Sequence, residues 1–380
     1  MILTNGRVIL ADTVRDDLDV EIRAGKIAEL RPRTETANAI DLGGNFLAPG
    51  FVDLHVHGAL GRDAMEMSVD SFRAICDYHG RGGTTSLLLT TVTAGIKQIV
   101  SVLARVREFG PQTPQVAGVH VEGPFISPEK AGAQNPEFIC EPTPELTDPL
   151  LAYADVIKRI TIAPEINDAL RSIEQFASAG ISVSGGHSDA WDEEARAGFE
   201  CGMHCATHTF NCMSSARRRG IYRVAGLLEF ALAEPGMNCE LIADGHHVSP
   251  TLMKMAYCAK GADGISLVTD ATAGAGLPDG TSFELGGKKC LVKNGVCLLA
   301  DQSALAGSAA SMIDLVRTMV RDVGVPLPET VRMASRTPAR QIGLATKGEI
   351  AVGNDADLVV FSPEFCVQQT LVAGKQIHPR

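Results

Sequence analysis

The sequence has no apolar run long enough to cross a bilayer and no excess of positive charge. A membrane-spanning helix needs about 18 to 20 apolar residues in succession, and polar residues interrupt positions 1–7, where a signal peptide needs its apolar region. The 34 Lys and Arg are outnumbered by 45 Asp and Glu, and the formal net charge of −11 repels nucleic acid. We therefore expect a cytoplasmic protein that binds neither membrane nor nucleic acid.

The sequence also lacks internal repeats, low-complexity segments and any Cys-x-x-Cys pair among its ten cysteines. Of its 380 residues, 45% are apolar and 21% are charged, which is typical of a globular protein with a large core. A chain of this size needs no disulfide framework, so we expect its thiols to be reduced.

The middle of the chain alternates short apolar runs with amphipathic stretches. Eight runs are typical of buried parallel strands, and they cover residues 51–55, 85–90, 116–121, 159–163, 181–184, 201–207, 240–243 and 264–269. Helical periodicity is found between them, for example in residues 68–78, 96–107, 167–178 and 250–259. Eight such alternations in about 300 residues predict an α/β fold of the (β/α)8, or TIM-barrel, class.

Both ends of the chain contain short strands that a barrel cannot accommodate. Residues 19–23 and 27–30 flank a glycine turn and predict a hairpin, and residues 356–361 and 369–372 predict two more strands. We therefore expect residues 1–50 and 346–380 to form one small β-sandwich domain beside a catalytic barrel of residues 51–345.

Six residues that can bind a metal or a proton follow the predicted strands at their carboxyl ends, where barrel enzymes build their active sites. They are His55, His57, Glu122, His187, His208 and Asp270. A single His-x-His pair is a weak signal, although its two rings leave the same face of a strand. The coincidence of four histidines and two carboxylates at the predicted rim favours a site for Zn²⁺ or Fe²⁺.

Seven short motifs, spread over nearly the whole chain, add a family signal. They are Pro49-Gly-Phe-Val-Asp-Leu-His-Val-His57, Val121-Glu-Gly-Pro-Phe125, Gly185-Gly-His-Ser188, Thr207-His-Thr-Phe-Asn-Cys-Met213, Ala243-Asp-Gly-His-His-Val248, Val268-Thr-Asp-Ala271 and Leu305-Ala-Gly-Ser308. Together they resemble the N-acetylglucosamine-6-phosphate deacetylases of the amidohydrolase superfamily. The resemblance implies removal of acetate from N-acetylglucosamine 6-phosphate, in amino-sugar catabolism, by a homodimer.

The resemblance also implies how the site residues divide the work. His187, His208 and Glu122 would hold one metal ion, while His55 and His57, with Glu122 and Asp270, would hold a second. Some family members work with one ion, so the resemblance permits one or two per subunit.

The same resemblance implies a catalytic role for two residues. Asp270 would be the base that takes a proton from the attacking water and returns it to the departing amine. His247 would contact the substrate and polarise its carbonyl. Asn211 and the backbone that follows it at Cys212 would hold the sugar phosphate, together with an arginine supplied across a dimer interface.

The chain departs from the family pattern in two loops. Where relatives commonly show Arg-Glu-Pro-Gly, this chain has Arg217-Arg-Arg-Gly-Ile-Tyr-Arg223. Of these arginines, we expect Arg219 to bind the phosphate. Where relatives often show Lys-Gly-Ala-His, this chain has Lys130-Ala-Gly-Ala-Gln134, with glutamine in place of the final histidine. The alternatives are therefore a deacetylase of another N-acyl substrate, such as a different amino-sugar phosphate or an N-acyl amino acid, and a catalytically silent scaffold.

Overall fold

The centre of the molecule is a barrel of eight parallel strands, each paired with the next one along the chain. The computed structural model describes residues 1–34 and 37–379. Strands β1 to β8 of the barrel span Phe51–Val56, Thr84–Thr91, Val116–Glu122, Ile157–Ile162, Ser182–Gly185, Met203–Ala206, Asn238–Leu241 and Ile265–Leu267. The predicted (β/α)8 fold is confirmed, including its weakly patterned sixth strand.

The barrel closes between β8 and β1 through the segments that follow these strands. Val56 forms a parallel bridge with Ala271. The N–H of Asp270 donates to the carbonyl of His55 at 2.9 Å, and the N–H of His57 donates to the carbonyl of Ala271 at 2.8 Å. Closure therefore brings the His-x-His segment beside Asp270, about 215 residues away in the chain.

Helices surround the barrel and bury one apolar face each. In the first of them, Phe72, Ile75 and Cys76 lie on one face and are buried. Among the described residues, no helix is both long enough and apolar enough to cross a membrane. Helices α1 to α10 span Val69–Arg81, Ile96–Phe109, Pro144–Leu151, Ala169–Ser178, Asp192–Glu200, Leu227–Ala233, Pro250–Lys260, Met312–Arg321, Leu327–Ala334 and Arg336–Gln341.

The two ends of the chain form two sheets with a common core. One sheet has the strand order Lys26–Pro32, Leu18–Arg23, Ile2–Thr4 and Ile40–Asp41. The other has the order Lys375–His378, Val367–Val372, Leu358–Phe361, Phe46–Pro49, Arg7–Ile9 and Val14–Arg15. Leu3 and Val20 of the first sheet pack in one cluster with Leu47, Val360 and Leu371 of the second. The predicted small β-sandwich is therefore present.

Three further β elements were not predicted from the sequence, and all three extend the carboxyl rim of the barrel. The first two are hairpins, Gly58–Ala59 with Arg62–Asp63 and Arg217–Arg219 with Tyr222–Val224. The third is a three-stranded sheet between β8 and α8, with strands Ser282–Leu285, Lys288–Lys293 and Val296–Leu299. This sheet buries Phe283 and Cys297 against Val92 and Ala273, and so covers one side of the rim.

Candidate active site

The carboxyl ends of five barrel strands bring the six predicted residues together. His55 lies at the end of β1 and His57 directly follows it, while Glu122 is the last residue of β3. The other three follow β5, β6 and β8, and each has a left-handed backbone, with φ of 46° at His187, 30° at His208 and 49° at Asp270. This conformation is uncommon for residues other than glycine, and the three side chains owe their direction to it.

Glu122 is the centre of the cluster, because its two oxygens face different histidines. Its Oε1 lies 3.0 Å from Nε2 of His208 and 3.2 Å from Nε2 of His187. Its Oε2 lies 3.2 Å from Nε2 of His57. Nε2 of His55 is 3.2 Å from Nε2 of His57 and 3.4 Å from Glu122 Oε1. One carboxylate thus connects two pairs of histidines.

Asp270 completes the side of the cluster that contains the His-x-His pair. Its Oδ1 lies 3.3 Å from Nε2 of His57 and 3.5 Å from Nε2 of His55. Burial by itself would raise the pKa of Asp270, but the neighbouring His55 and His57 outweigh it and lower that pKa.

These donor atoms fit a divalent cation. Ligands bound tetrahedrally at about 2.0 to 2.1 Å lie roughly 3.3 Å from one another, and Nε2 of His187 and Nε2 of His208 are 3.1 Å apart. Nδ1 of His187 lies 2.8 Å from the carbonyl oxygen of Lys130. A carbonyl only accepts, so the proton is on Nδ1 and the lone pair of Nε2 is available to an ion.

Gln134 also holds Glu122, through the same oxygen that faces His57. Its amide nitrogen donates to Oε2 of Glu122 at 2.6 Å, and its amide oxygen accepts from the N–H of Thr93 at 2.7 Å. The loop in which the chain departs from its relatives therefore still contacts the central carboxylate. The glutamine supplies a neutral donor, which leaves the negative charge of Glu122 to the cluster.

A buried ion pair lies directly beneath the cluster and was missed by the sequence analysis. Arg159 on β4 and Glu240 on β7 are fully buried and form a short, charge-assisted contact. Oε2 of Glu240 lies 3.2 Å from Nδ1 of His55 and accepts from the N–H of His208 at 3.2 Å. Burial opposes ionisation of Glu240, but Arg159 and His55 lower its pKa below the usual range. The sequence did contain a sign of this pair, because an arginine and a glutamate each lie within an apolar strand, where a buried charge needs an opposite charge beside it.

Three of the four predicted substrate residues line the same cavity as the candidate metal-binding cluster. This cavity has a volume of about 230 Å³, and its walls include Asn211, Cys212 and His247 together with His57 and Asp270. A larger cavity of about 610 Å³ lies nearby, beside the inserted sheet. None of the six clustered residues lines the larger cavity, so the chemistry is concentrated in the smaller one.

His247 is held by a neighbouring carboxylate. Its Nδ1 lies 2.7 Å from Oδ2 of Asp244. Burial by itself would lower the pKa of His247, but the charges of Asp244 and Asp270 outweigh it and raise that pKa.

Arg219 does not line the cavity of its own chain. It lies on the hairpin after β6, where its guanidinium is 2.6 Å from Oε1 of Glu193 and stacks on the ring of Trp191 at 4.0 Å. The tip of this hairpin is exposed, with 87% of Ile221 and 70% of Tyr222 accessible to solvent. The predicted contact between Arg219 and a phosphate therefore requires a cavity on another molecule.

Comparison with known proteins places the chain in a family. The sequence profile of the Amidohydrolase family matches residues 46–377. An N-acetylglucosamine-6-phosphate deacetylase from Lysinibacillus sphaericus is 34% identical over 99% of this chain and 97% of the relative. The chain belongs to the amidohydrolase family. The family predicted from the sequence, and with it the prediction of a hydrolase, is confirmed.

Two further members of the amidohydrolase family bear on the fold and the substrate. The crystal structure of N-acetylglucosamine-6-phosphate deacetylase from Pasteurella multocida has a TM-score of 0.93 and 35% identity, and the match covers 99% of this chain and 98% of the other. An N-acetylgalactosamine-6-phosphate deacetylase from Escherichia coli O157:H7 is 33% identical over 98% of both chains. Relatives of similar identity therefore carry the names of deacetylases for two different hexosamine phosphates.

Proposed function

We propose that this amidohydrolase removes the acetyl group of N-acetylglucosamine 6-phosphate, giving glucosamine 6-phosphate and acetate. The observation that carries the proposal is the convergence of His57, Glu122, His187, His208 and Asp270 on one small cavity that His247 also lines. The buried His55 contacts this group through Glu122 and His57. A silent scaffold would not need this set of ligating groups in contact distance, so the convergence argues against that alternative.

The proposed cofactor is zinc or iron, one or two ions per subunit. His187, His208 and Glu122 would hold one ion, and His55, His57 and Glu122, with Asp270, would hold a second. Nitrogen and oxygen donors of this kind suit both metals. A bound ion would lower the pKa of water from about 15.7 to near 7 and so make hydroxide available at neutral pH.

Asp270 is the proposed base. Its lowered pKa keeps it ionised at neutral pH, so its carboxylate can accept the proton of the attacking water. The same carboxylate can then return this proton to the amine nitrogen as the carbon–nitrogen bond breaks. One residue would thus serve both halves of the hydrolysis.

His247, Asn211 and Cys212 are the proposed substrate contacts. His247 lines the cavity together with Asp270 and would donate to an oxygen of the substrate. Asn211 and the backbone at Cys212 would bind the phosphate.

A cation for the phosphate is proposed to come from a second copy of the chain in a homodimer. The tip of the hairpin that carries Arg219 is exposed, which supports the proposal that it would enter the cavity of a partner. Arg219 already pairs with Glu193, whereas Arg218 and Arg223 lie opposite each other on the hairpin and have no acidic partner among the described residues. Alanine variants of Arg218 and Arg223 are therefore compared with Arg219→Ala when the phosphate contact is tested.

The substrate is tested by measuring acetate release from four compounds in parallel. They are N-acetylglucosamine 6-phosphate, N-acetylgalactosamine 6-phosphate, unphosphorylated N-acetylglucosamine and an N-acetyl amino acid. We expect the highest kcat/KM with the first compound. A higher value with the galactosamine compound would move the assignment to the other hexosamine phosphate. No preference for phosphate would favour a different N-acyl substrate.

Metal analysis of protein purified without added metal would give the identity and number of ions.

A further inference from the structure

A tight turn after β7 joins Asp244 to His247. Oδ1 of Asp244 accepts the backbone N–H groups of His246 and His247, both at 2.9 Å. Its Oδ2 lies 2.7 Å from Nδ1 of the His247 ring. The side chains of Asp244 and His247 are only 5% and 6% exposed, so water does not compete for this contact. One oxygen of the carboxylate thus holds the turn, and the other holds the imidazole.

The contact between Oδ2 of Asp244 and the His247 ring determines which ring nitrogen carries a proton. An ionised carboxylate has no proton to donate, so Nδ1 of His247 must be the protonated nitrogen of the pair. Nε2 has no hydrogen-bond partner among the described residues, and the ring lines the cavity. With the proton of the neutral ring held on Nδ1, Nε2 is an acceptor. It becomes a donor only when the ring takes up a second proton.

We propose that Asp244 is a positioning residue that holds a proton on Nδ1 of His247, so that His247 donates to a substrate oxygen only as an imidazolium cation. A charged donor binds an anionic oxygen about twice as strongly as a neutral one. Both a phosphate and the oxygen of a carbonyl under attack are anionic. That a substrate oxygen lies there rests on the proposed function.

The substitution Asp244→Asn separates the two tasks of this carboxylate. Two backbone N–H groups meet Oδ1, so the asparagine carbonyl is expected at that position, where it preserves both hydrogen bonds of the turn. Its amide nitrogen then faces Nδ1 of His247 and donates to it. The neutral ring must therefore carry its proton on Nε2, which makes His247 an uncharged donor.

The first measurement needs no substrate. Long-range ¹H–¹⁵N NMR of the zinc-loaded protein reports the protonation of each histidine nitrogen, and His247→Asn assigns the signal. In the parent protein, at a pH where the ring is neutral, we expect the proton on Nδ1, and in Asp244→Asn we expect it on Nε2. A neutral parent ring with its proton on Nε2 would overturn the proposal, even if the variant did not fold. The same nitrogen protonated in parent and variant would overturn it as well.

The second measurement is a double-mutant cycle on kcat/KM for N-acetylglucosamine 6-phosphate. We expect Asp244→Asn to lower kcat/KM about tenfold through loss of the charge, and His247→Asn to lower it at least as far. If Asp244 acts through His247, the double variant is no worse than His247→Asn alone. An unchanged tenfold cost in the His247→Asn background would show that Asp244 only stabilises the turn, and would contradict the proposal.

The neighbouring His246→Asn is the matched control, because His246 donates a backbone N–H to the same oxygen and its side chain is exposed. It should change neither the NMR signal of His247 nor kcat/KM. A protein that shows the expected proton positions but releases no acetate from any of the four compounds would refute the proposed function and leave the role of Asp244 standing.

Discussion

At the scale of single residues, Glu122 determines the geometry of the site because its two oxygens together contact all four histidines: Oε1 faces His55, His187 and His208, and Oε2 faces His57. Groups outside the cluster set the orientation of its members. Gln134 holds the Glu122 carboxylate, and the carbonyl of Lys130 holds the ring of His187. Such outer contacts preserve the direction of each ligand atom, and losing one typically costs a metal site about 10- to 100-fold in affinity or activity.

The proposed base is tested by Asp270→Asn. The asparagine has a similar shape but cannot accept the proton of water, so we expect turnover to fall by at least about 100-fold while the ion held by His187 and His208 stays bound. Steady-state acetate release and metal analysis of the purified variant check both statements. Asp70→Asn, whose carboxylate is exposed on α1, serves as the control and should behave as the parent does. Turnover within tenfold of the parent would remove Asp270 from this role.

The metal ligands are tested by His187→Ala and His208→Ala. Each change removes one of three protein ligands from an ion, so we expect metal affinity to fall by more than about 100-fold, and activity to be lost with it. Competition with a chromophoric chelator measures the affinity. His204→Ala, at an exposed position on β6, is the control. Full retention of metal by either ligand variant would mean that the ions bind elsewhere.

At the scale of secondary-structure elements, the pair Arg159–Glu240 links β4 to β7 inside the barrel. It also supports both halves of the site, because Glu240 contacts the ring of His55 on β1 and the backbone of His208 after β6. Four barrel strands or their extensions therefore meet at one carboxylate. The pair replaces apolar packing at this level of the barrel, and each charge depends on the other for its stability.

Removing one partner of this pair should destabilise the fold. Glu240→Ala leaves the buried guanidinium of Arg159 without a counter-charge, and we expect the free energy of unfolding to fall by about 3 to 5 kcal/mol. Urea denaturation of the metal-loaded protein measures the change. Glu108→Ala breaks an exposed pair with Arg105 on α2 and should cost less than about 1 kcal/mol. Equal effects of the two substitutions would show that the buried pair adds no special stability.

At the scale of the whole molecule, the barrel alone holds the candidate metal-binding cluster, and the insertions lie around its carboxyl rim. The three-stranded sheet after β8 supplies Leu285 to the wall of the cavity. The hairpin after β6 instead carries its arginines away from the cavity of its own chain. The proposed phosphate site would therefore be completed by a second copy of the chain.

Arg219→Ala tests this arrangement. In the proposed homodimer, we expect KM for the phosphorylated sugar to rise about 10- to 100-fold, with little change for the unphosphorylated sugar, because a charge-assisted contact of about 1.5 to 3 kcal/mol is lost. Arg218→Ala and Arg223→Ala are compared under the same conditions. Sedimentation measures the oligomeric state.

Mixed dimers give the sharper test of a shared site. One subunit carrying Asp270→Asn and one carrying Arg219→Ala would assemble a single intact site, which combines Asp270 of one chain with Arg219 of the other. We expect the low KM to return in that mixture. A monomeric protein that keeps its preference for phosphate in all three arginine variants would contradict the proposed contact.

The sequence by itself determined the barrel, the terminal sandwich and which residues are the candidate metal ligands. Strand and helix periodicity is local, and a parallel barrel places the ends of all its strands on one rim, so His187 and Asp270 could be assigned to one site without coordinates. The contact of Asp244 with His247 is also local, since three positions separate them. The spacing alone did not predict it, because the direction of a side chain in a turn depends on the conformation of the turn.

Only the tertiary structure shows which groups form hydrogen bonds to the candidate ligands. Arg159 and Glu240 are 81 positions apart, and Gln134 reaches Glu122 from a loop without regular pattern. Such contacts depend on barrel closure and on side-chain direction, neither of which hydrophobic periodicity encodes. The position of the hairpin that carries Arg219 could not be predicted either, because Arg219 contacts Trp191 and Glu193 only once the hairpin packs against the start of α5.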